Sequence, residues 1–182
     1  MPPAHLAVEH AKSAMAYQDH KQSAATIRAR CAVITLSDTR TPDTDKSGLR
    51  ITQLLHADRH HVAFHQIIPD DPARLDALLT ELENHTDIDV ILTNGGTGIS
   101  RRDNTVPVVT RHLTTPLPGF GELFRALSYQ QIQTGAMLSR ALGGIANGKL
   151  LFAMPGSTSA VELAMTKLIL PELRHLLAEL RR

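Results

Sequence analysis

Asp89-Val90-Ile91-Leu92-Thr93-Asn94-Gly95-Gly96-Thr97-Gly98-Ile99-Ser100-Arg101-Arg102-Asp103 passes from a short apolar run through closely spaced glycines into a cluster of hydroxyl and charged groups. An apolar run of this length, bounded by a turn, reads as a buried strand, and Thr105-Val106-Pro107 just beyond reads as the start of a helix. Where the strand ends, Gly95, Gly96 and Gly98 leave the backbone without Cβ atoms, so an anion can approach the amides closely. Hydroxyls, Arg101, Arg102 and Asp103 then supply charge to hold phosphate and an oxygen ligand suited to a hard cation such as Mg²⁺. Two other glycine loops are excluded. A P-loop needs a lysine after its last glycine, but Gly98 is followed by Ile-Ser-Arg-Arg. A dinucleotide fingerprint needs a third glycine where Arg101 stands. The stretch points to chemistry on a phosphorylated substrate.

Upstream, Cys31 to Leu36 and Val62 to Ile68 read as strands, joined to the strand Val90 to Thr93 by two helices. The first helix spans Ser47 to His56, with Leu49, Ile51, Leu54 and Leu55 expected inward. The second runs from Pro72 to Glu83 on a stripe of Leu75, Leu78, Leu79 and Leu82, with Asp71 as its N-cap and Pro72 in its first turn. This β-α-β-α-β order predicts a parallel sheet with helices on both faces, and ligands gathered beyond the carboxyl ends of the strands. Downstream, Pro107 to Leu113 and Gly121 to Gln131 read as helices separated by a connector over 114–119. Ala141 to Ile145 and Lys149 to Met154 flank Asn147-Gly148, a dipeptide favoured in hairpin turns. A long final helix is expected from Ser157 or Thr158, bending at Pro171. The fold class is therefore α/β, a three-layer α-β-α arrangement with a mainly parallel sheet and a small antiparallel hairpin. Residues 4–28 form a thin amphipathic pattern that reads as a helix packed on the main domain or on another subunit, with a partly disordered extension as the alternative, so the chain divides into an N-terminal helical arm (1–29) and an α/β domain (30–182).

Nineteen basic and eighteen acidic residues among 182 leave no excess of positive charge for a dedicated nucleic-acid binder, and few aromatics are present for base stacking. No segment approaches the ~20 apolar residues of a membrane span, and the first residues lack the apolar core of a signal peptide. The expectation is a cytoplasmic protein that handles small molecules, without nucleic-acid or membrane partners. Cys31 heads an apolar run and reads as a small buried hydrophobe. His56, His60, His61 and His65 lack zinc spacing and are expected to be solvated. Asp43 to Gly48 resembles half of a calcium loop but has Leu54 at the twelfth position, so it reads as a capped helix entrance.

The expected strand ends carry Ser37-Asp38-Thr39-Arg40, Pro69-Asp70-Asp71, the glycine loop with Asp103, and Pro155-Gly156-Ser157. Carboxylates beside phosphate-binding amides repel a phosphorylated substrate unless a divalent cation lies between them, which predicts Mg²⁺ with a nucleotide phosphate. Asp71 is accounted for as a cap and Asp38 as a turn or site residue. Asp103 has a surface pair with Arg101 or Arg102 as its alternative reading, and Asp70 has no ready local role.

Ser37 to Arg40, Ile68-Pro69-Asp70-Asp71, Thr93 to Asp103, Leu117-Pro118-Gly119-Phe120-Gly121-Glu122, Leu138-Ser139-Arg140 and Met154-Pro155-Gly156-Ser157 together resemble the molybdenum-cofactor biosynthesis protein B and molybdopterin adenylyltransferase family. The resemblance implies an α/β molybdopterin-binding domain assembled as a homotrimer or homohexamer, with other molybdenum cofactor biosynthesis proteins as further partners. It implies Mg²⁺- and ATP-dependent transfer of AMP to the terminal phosphate of molybdopterin with release of pyrophosphate. The alternative is a non-catalytic pterin- or nucleotide-binding carrier of the same pathway. By the resemblance, Asp70 and Asp103 are the catalytic and metal-holding acids. Gly95, Gly96, Thr97 and Gly98 line the pterin or phosphate pocket, which Ser37, Asp38, Pro118, Gly119, Glu122, Ser139, Arg140, Gly156 and Ser157 complete.

Overall fold

A computed structural model describes Tyr17 and residues 21–182. The expected arm lies largely outside the described residues; within them, 21–23 are helical. The elements that follow are β1 (Arg30–Leu36), α1 (Lys46–Ala57), β2 (His61–Ile68), α2 (Pro72–Asn84), β3 (Val90–Asn94), α3 (Thr105–His112), β4 (Thr115–Pro116) and α4 (Pro118–Ile132). A 3-10 turn (Gln133–Leu138), β5 (Leu142–Ala146), β6 (Lys149–Met154), α5 (Thr158–Ala164), a π-helical turn (Met165–Ile169) and α6 (Leu170–Leu180) complete the chain.

The strands form one sheet in the order β2-β1-β3-β6-β5-β4. β2, β1, β3 and β6 are parallel, and β5 runs antiparallel to both of its neighbours. Because β1 connects to β2 on one side and β3 lies on the other, the winding reverses between β1 and β3, where open α/β sheets form their ligand crevice.

Alternation along the buried strands sends side chains to two cores. Val33, Leu92 and Phe152 face α1, α4, α5 and α6. Ile34, Ile91 and Leu151 face α2 and α3. This is the three-layer arrangement expected from the sequence, and Asn147 and Gly148 turn the β5-β6 hairpin with φ of 45° and 72°.

Several expectations are corrected. Leu49 is 44% exposed rather than inward. α1 approaches the sheet at Gly48, where a Cβ would lie 2.7 Å from His65 Nε2 and 2.8 Å from Thr35 Oγ1. The buried face therefore runs through Gly48, Ile51 and Leu55, which turns the neighbouring Leu49 outward at 100° per residue. The connector over 114–119 contributes an edge strand: Thr115 and Pro116 pair with Ile145 and Gly144, and proline is tolerated at an edge. The final helix, expected to bend at Pro171, is interrupted earlier by the π-turn. Pro171 lacks an N–H for the carbonyl four residues back and its ring crowds that turn, which a wider turn accommodates. Finally, His60 is buried rather than solvated. Its Nδ1 accepts the Ala29 N–H at 2.9 Å and its Nε2 lies 3.1 Å from Asp58 Oδ2.

Candidate functional site

The segment after β3 turns sharply at Gly95 (φ 103°) and Gly96 (φ 61°), a conformation in which a Cβ is strained. A Cβ at Gly95 would meet the Leu36 carbonyl oxygen at 2.3 Å, and one at Gly96 would meet Thr105 Oγ1 at 2.3 Å and Asp70 Oδ1 at 2.9 Å. The loop's carbonyls are tied back into the protein. Thr105 Oγ1 donates to Gly95 O at 3.0 Å and Thr105 N–H to Gly96 O at 3.1 Å. Arg140 Nε donates to Thr97 O at 3.0 Å, and Nη2 donates to Gly98 O and, at 2.9 Å, to Asp103 O. Among the described residues the N–H groups of Gly96 and Thr97 have no acceptor, which leaves backbone donors for an anion.

A cleft of roughly 360 Å³ opens beside this loop, lined by Gly95, Gly96, Thr97, Gly98, Asp103, Ser139, Gly156 and Ser157. Its other wall is Phe124, Ser128 and Ile132 of α4 with Leu138 and Ala160. Ser157 caps α5 by accepting the Ala160 N–H at 3.3 Å. A Cβ on Gly156 would lie 3.1 Å from Gly95 Cα, so the two loops are in close contact.

The acids flank the loop. A Cβ on Gly98 would lie 2.8 Å from Asp103 Oδ2, which accepts the Ser100 N–H at 2.7 Å. Asp103 therefore belongs to its own loop instead of pairing with Arg101 or Arg102. Ser100, through its hydroxyl and N–H, holds the Asp103 carboxyl below the usual carboxylate range, with Arg140 adding to the effect against the cost of burial. Asp70 sits behind Gly96 in a narrow crevice with Leu36, Arg102, Asn104 and Thr105, and its Oδ1 is buried without a hydrogen-bond partner. Burial pushes the Asp70 carboxyl up, and the charges of Asp38 and Asp103 push it further against the opposing pull of Arg102. Paired acids whose surroundings drive their affinities for protons apart are a frequent mark of acid-base or ion-handling chemistry.

Asp38 Oδ1 accepts the Asp70 N–H at 3.1 Å, which ties the end of β1 to the end of β2, and Arg102 Nη1 lies 3.8 Å from Asp38 Oδ2. Ser37 Oγ accepts the Arg40 N–H at 3.2 Å and so shapes the turn. The structure thus brings Ser37, Asp38, Asp70, Asp103, the glycine loop, Ser139, Gly156 and Ser157 to one end of the sheet. Arg140 stands behind the loop as its anchor. Pro118 and Glu122 line a different hollow beside Arg125 and Ala141, and Gly119 is exposed on the first turn of α4.

Residues not anticipated from the sequence lie beneath the crevice. Asp45, fully buried, caps α1 through the Gly48 N–H at 3.0 Å and accepts from Thr35 Oγ1 at 2.6 Å. Asn94 Nδ2 donates to Thr35 Oγ1 at 2.9 Å, and its Oδ1 accepts from Ser47 Oγ at 2.7 Å. Arg40 joins Asp45 Oδ1 at 3.3 Å and Ser47 Oγ to the Gly156 carbonyl at 2.7 Å. Burial alone would push the Asp45 carboxyl up, but hydrogen bonds from Thr35, Gly48 and Ser47, with the Arg40 charge, hold it below the usual range. A capped helix entrance over Asp43 to Gly48 is legible in the sequence; Asp45 as the cap and its partners, distant in sequence, are not. Phe124 and Ser128 fall inside the helix expected over Gly121 to Gln131 and Ile132 just beyond it, and none of the three carries a sequence signal for a cleft wall. Among the described residues no three His, Cys, Asp or Glu side chains cluster as a metal site, and no helix is long and apolar enough to cross a membrane.

Residues 32–175 match the family profile described as a probable molybdopterin binding domain. The molybdenum cofactor biosynthesis protein B of Halalkalibacterium halodurans is 48% identical over 167 residues, covering 91% of this chain and 98% of that protein. A crystal structure of a molybdenum cofactor biosynthesis protein B superposes with a TM-score of 0.83 at 48% identity, covering 86% of this chain and 98% of the other. The tungsten cofactor synthesizing protein MoaB of Pyrococcus furiosus superposes at 0.76 and 35% identity, over 85% and 98% of the two chains. With the glycine loop, its flanking acids and the sheet order all in place, this chain belongs to the molybdenum cofactor biosynthesis family built on the molybdopterin-binding domain.

Proposed function

We propose that this protein acts in molybdenum cofactor biosynthesis in the cytoplasm, adenylylating molybdopterin with Mg²⁺ and ATP. In the reaction a terminal phosphate oxygen of molybdopterin attacks the α-phosphorus of ATP, the bond between the α-phosphorus and the bridging oxygen breaks, and pyrophosphate leaves. The phosphate nucleophile is already anionic at neutral pH, so the protein's task is positioning and charge stabilisation rather than deprotonation. The observation that carries this reading is the pairing of unacceptored loop amides with Asp103 against Gly98 and the orphaned Asp70 Oδ1 against Gly96.

An unpartnered carboxylate oxygen among further acidic side chains is a hard-oxygen donor that fits a divalent cation. Asp70 and Asp103 are the residues that would hold Mg²⁺. When bound, the ion neutralises the nucleotide's phosphate charge. The Gly96 and Thr97 amides would bind phosphate oxygens, and Arg140 keeps the loop in shape for them. Phe124, Ile132 and Leu138 give the cleft an apolar wall against which a pterin ring can pack. A homotrimer or homohexamer belongs to the same proposal. It is supported by Tyr129, Ile132, Met137 and Leu138, all more than half exposed and grouped at the end of α4 and the turn after it.

A second reading is the non-catalytic carrier of the same pathway, which the same free loop amides and apolar cleft wall would also serve. Incubation of the protein with molybdopterin, ATP and Mg²⁺ separates the two. Adenylylated pterin and pyrophosphate are expected, with turnover reduced by about 10²-fold or more in folded Asp103→Ala. Tight pterin binding without pyrophosphate release would establish the carrier.

A further inference from the structure

At the amino ends of β1 and β2, the pole opposite the glycine loop, a second hollow of roughly 400 Å³ lies between the segment entering β1, the end of α1 and the start of α6. Among the described residues, the four cations Lys21, Arg28, Arg59 and Arg174 line it against one carboxylate, Asp58, with Leu170 and Pro171 as an apolar wall. Their commitments differ. Arg174 Nη1 donates to Asp58 Oδ2 at 2.7 Å, which neutralises the one acid, while its Nε is buried without an acceptor. Lys21 pairs at 2.7 Å with Glu172. Among the described residues Arg28 spends only Nη1, on the carbonyls of Ala25 and Ile27, both at 3.1 Å.

The Arg59 guanidinium has no hydrogen-bond or ionic partner among the described residues, and its backbone sits in the left-handed region at φ 62°. A long side chain carries a cost in that conformation, at a helix end where glycine or asparagine is usual. The local charge is felt beyond the residues that line the hollow. Burial, then the Arg174 charge, and to a smaller extent that of Arg28, lower the proton affinity of His60 in spite of Asp58.

Guanidinium groups gathered in one concavity repel each other unless an anion lies among them, and they match phosphate oxygens in geometry. We propose that this hollow is a second anion site, which takes a small phosphorylated organic molecule: its phosphate between Arg28 and Arg59, its organic part on Leu170 and Pro171. The volume exceeds what a bare phosphate fills, which is why the apolar wall belongs to the site. A ligand there joins three segments distant in sequence and touches none of the residues assigned to adenylyl transfer, so the site is independent of that reaction.

The full chain is titrated with phenyl phosphate and, separately, with inorganic phosphate at low ionic strength, following amide resonances by NMR. Phenyl phosphate should shift Ala57 and Leu170, and Arg28→Ala/Arg59→Ala should weaken that response by about tenfold or more. Any response at Gly95 to Gly98 reports the glycine loop and should be the same in both proteins. Both arginines sit at the surface, and Arg59→Gln, which keeps a long polar side chain, gives the same test should the double variant fail to fold. Equal affinity of wild type and variant, or no response at Ala57 and Leu170 up to about 10 mM ligand, overturns the proposal. Inorganic phosphate binding as tightly as phenyl phosphate overturns the organic part of it.

Discussion

Asp70 is a strained residue in the ligand-free protein. Its pKa is raised by burial and by the Asp38 and Asp103 charges. Its contribution to folding is therefore fully present below the ordinary aspartate value of about 3.9 and is lost as pH rises through the higher folded-state value. Asp70→Asn should raise the melting temperature of the ligand-free protein at neutral pH, by about 2–4 °C for each kcal/mol of relieved repulsion, and should leave it unchanged near pH 3 while activity is lost. Thermal unfolding at the two pH values checks this, and a variant that melts below wild type at pH 7.5 would refute it. The two loop glycines should separate stability from function. At Gly96 both a positive φ and Thr105 Oγ1 oppose a side chain, so Gly96→Ala should cost about 1 kcal/mol or more. At Gly98 the obstacle is the Asp103 carboxylate at the end of a side chain. Gly98→Ala should unfold at nearly the wild-type urea midpoint yet lose turnover, because the carboxylate has to move.

Between elements, the decisive contact is the polar knot under β1 and β3. Asp45 caps α1, and through Arg40 it ties the loop after β1 to the loop after β6. Its depressed pKa gives the opposite pH dependence to that of Asp70: the stabilisation is present above the ordinary aspartate value and is lost as pH falls through the folded-state value. Asp45→Ala removes a cap and leaves buried partners unsatisfied, so a loss of about 3 kcal/mol or more is expected in urea unfolding at pH 7. The β5-β6 hairpin gives a milder case. Gly148 has φ 72° with open space where a Cβ would stand, so Gly148→Ala should cost only the backbone penalty, about 1 kcal/mol, without altering the cleft. A loss much larger than that in denaturant titration would mean the turn makes contacts the fold does not show.

Across the molecule, protection should follow the sheet order. β1, β3 and β6 lie at its centre with near-complete burial, whereas β4 is a two-residue edge. Hydrogen exchange of the central amides should require global unfolding, and the segment around Thr115 should exchange by local opening. Central strands exchanging as fast as β4 would contradict that order. The parallel core was legible because β1, β3 and β6 are near-continuous apolar runs closed by a turn or cap, and Asp71-Pro72, Asn147-Gly148 and Gly95-Gly96 act on their immediate neighbours. Those signals depend on periodicity and backbone conformation, which are set within a few residues, so the sequence by itself determined the layers, the strand ends and the sharp glycine turn after β3. Leu49 turned outward because Gly48 approaches β1 and β2, and His60 is buried because Ala29 and Asp58 supply both its ring nitrogens with partners. Arg40 reaches the Gly156 carbonyl 116 positions away, and Phe124 from the core and Ile132 from the surface meet to wall the cleft. Only the tertiary structure decided these, because the energy of a buried polar or close-packed group depends on partners that packing delivers from distant parts of the chain.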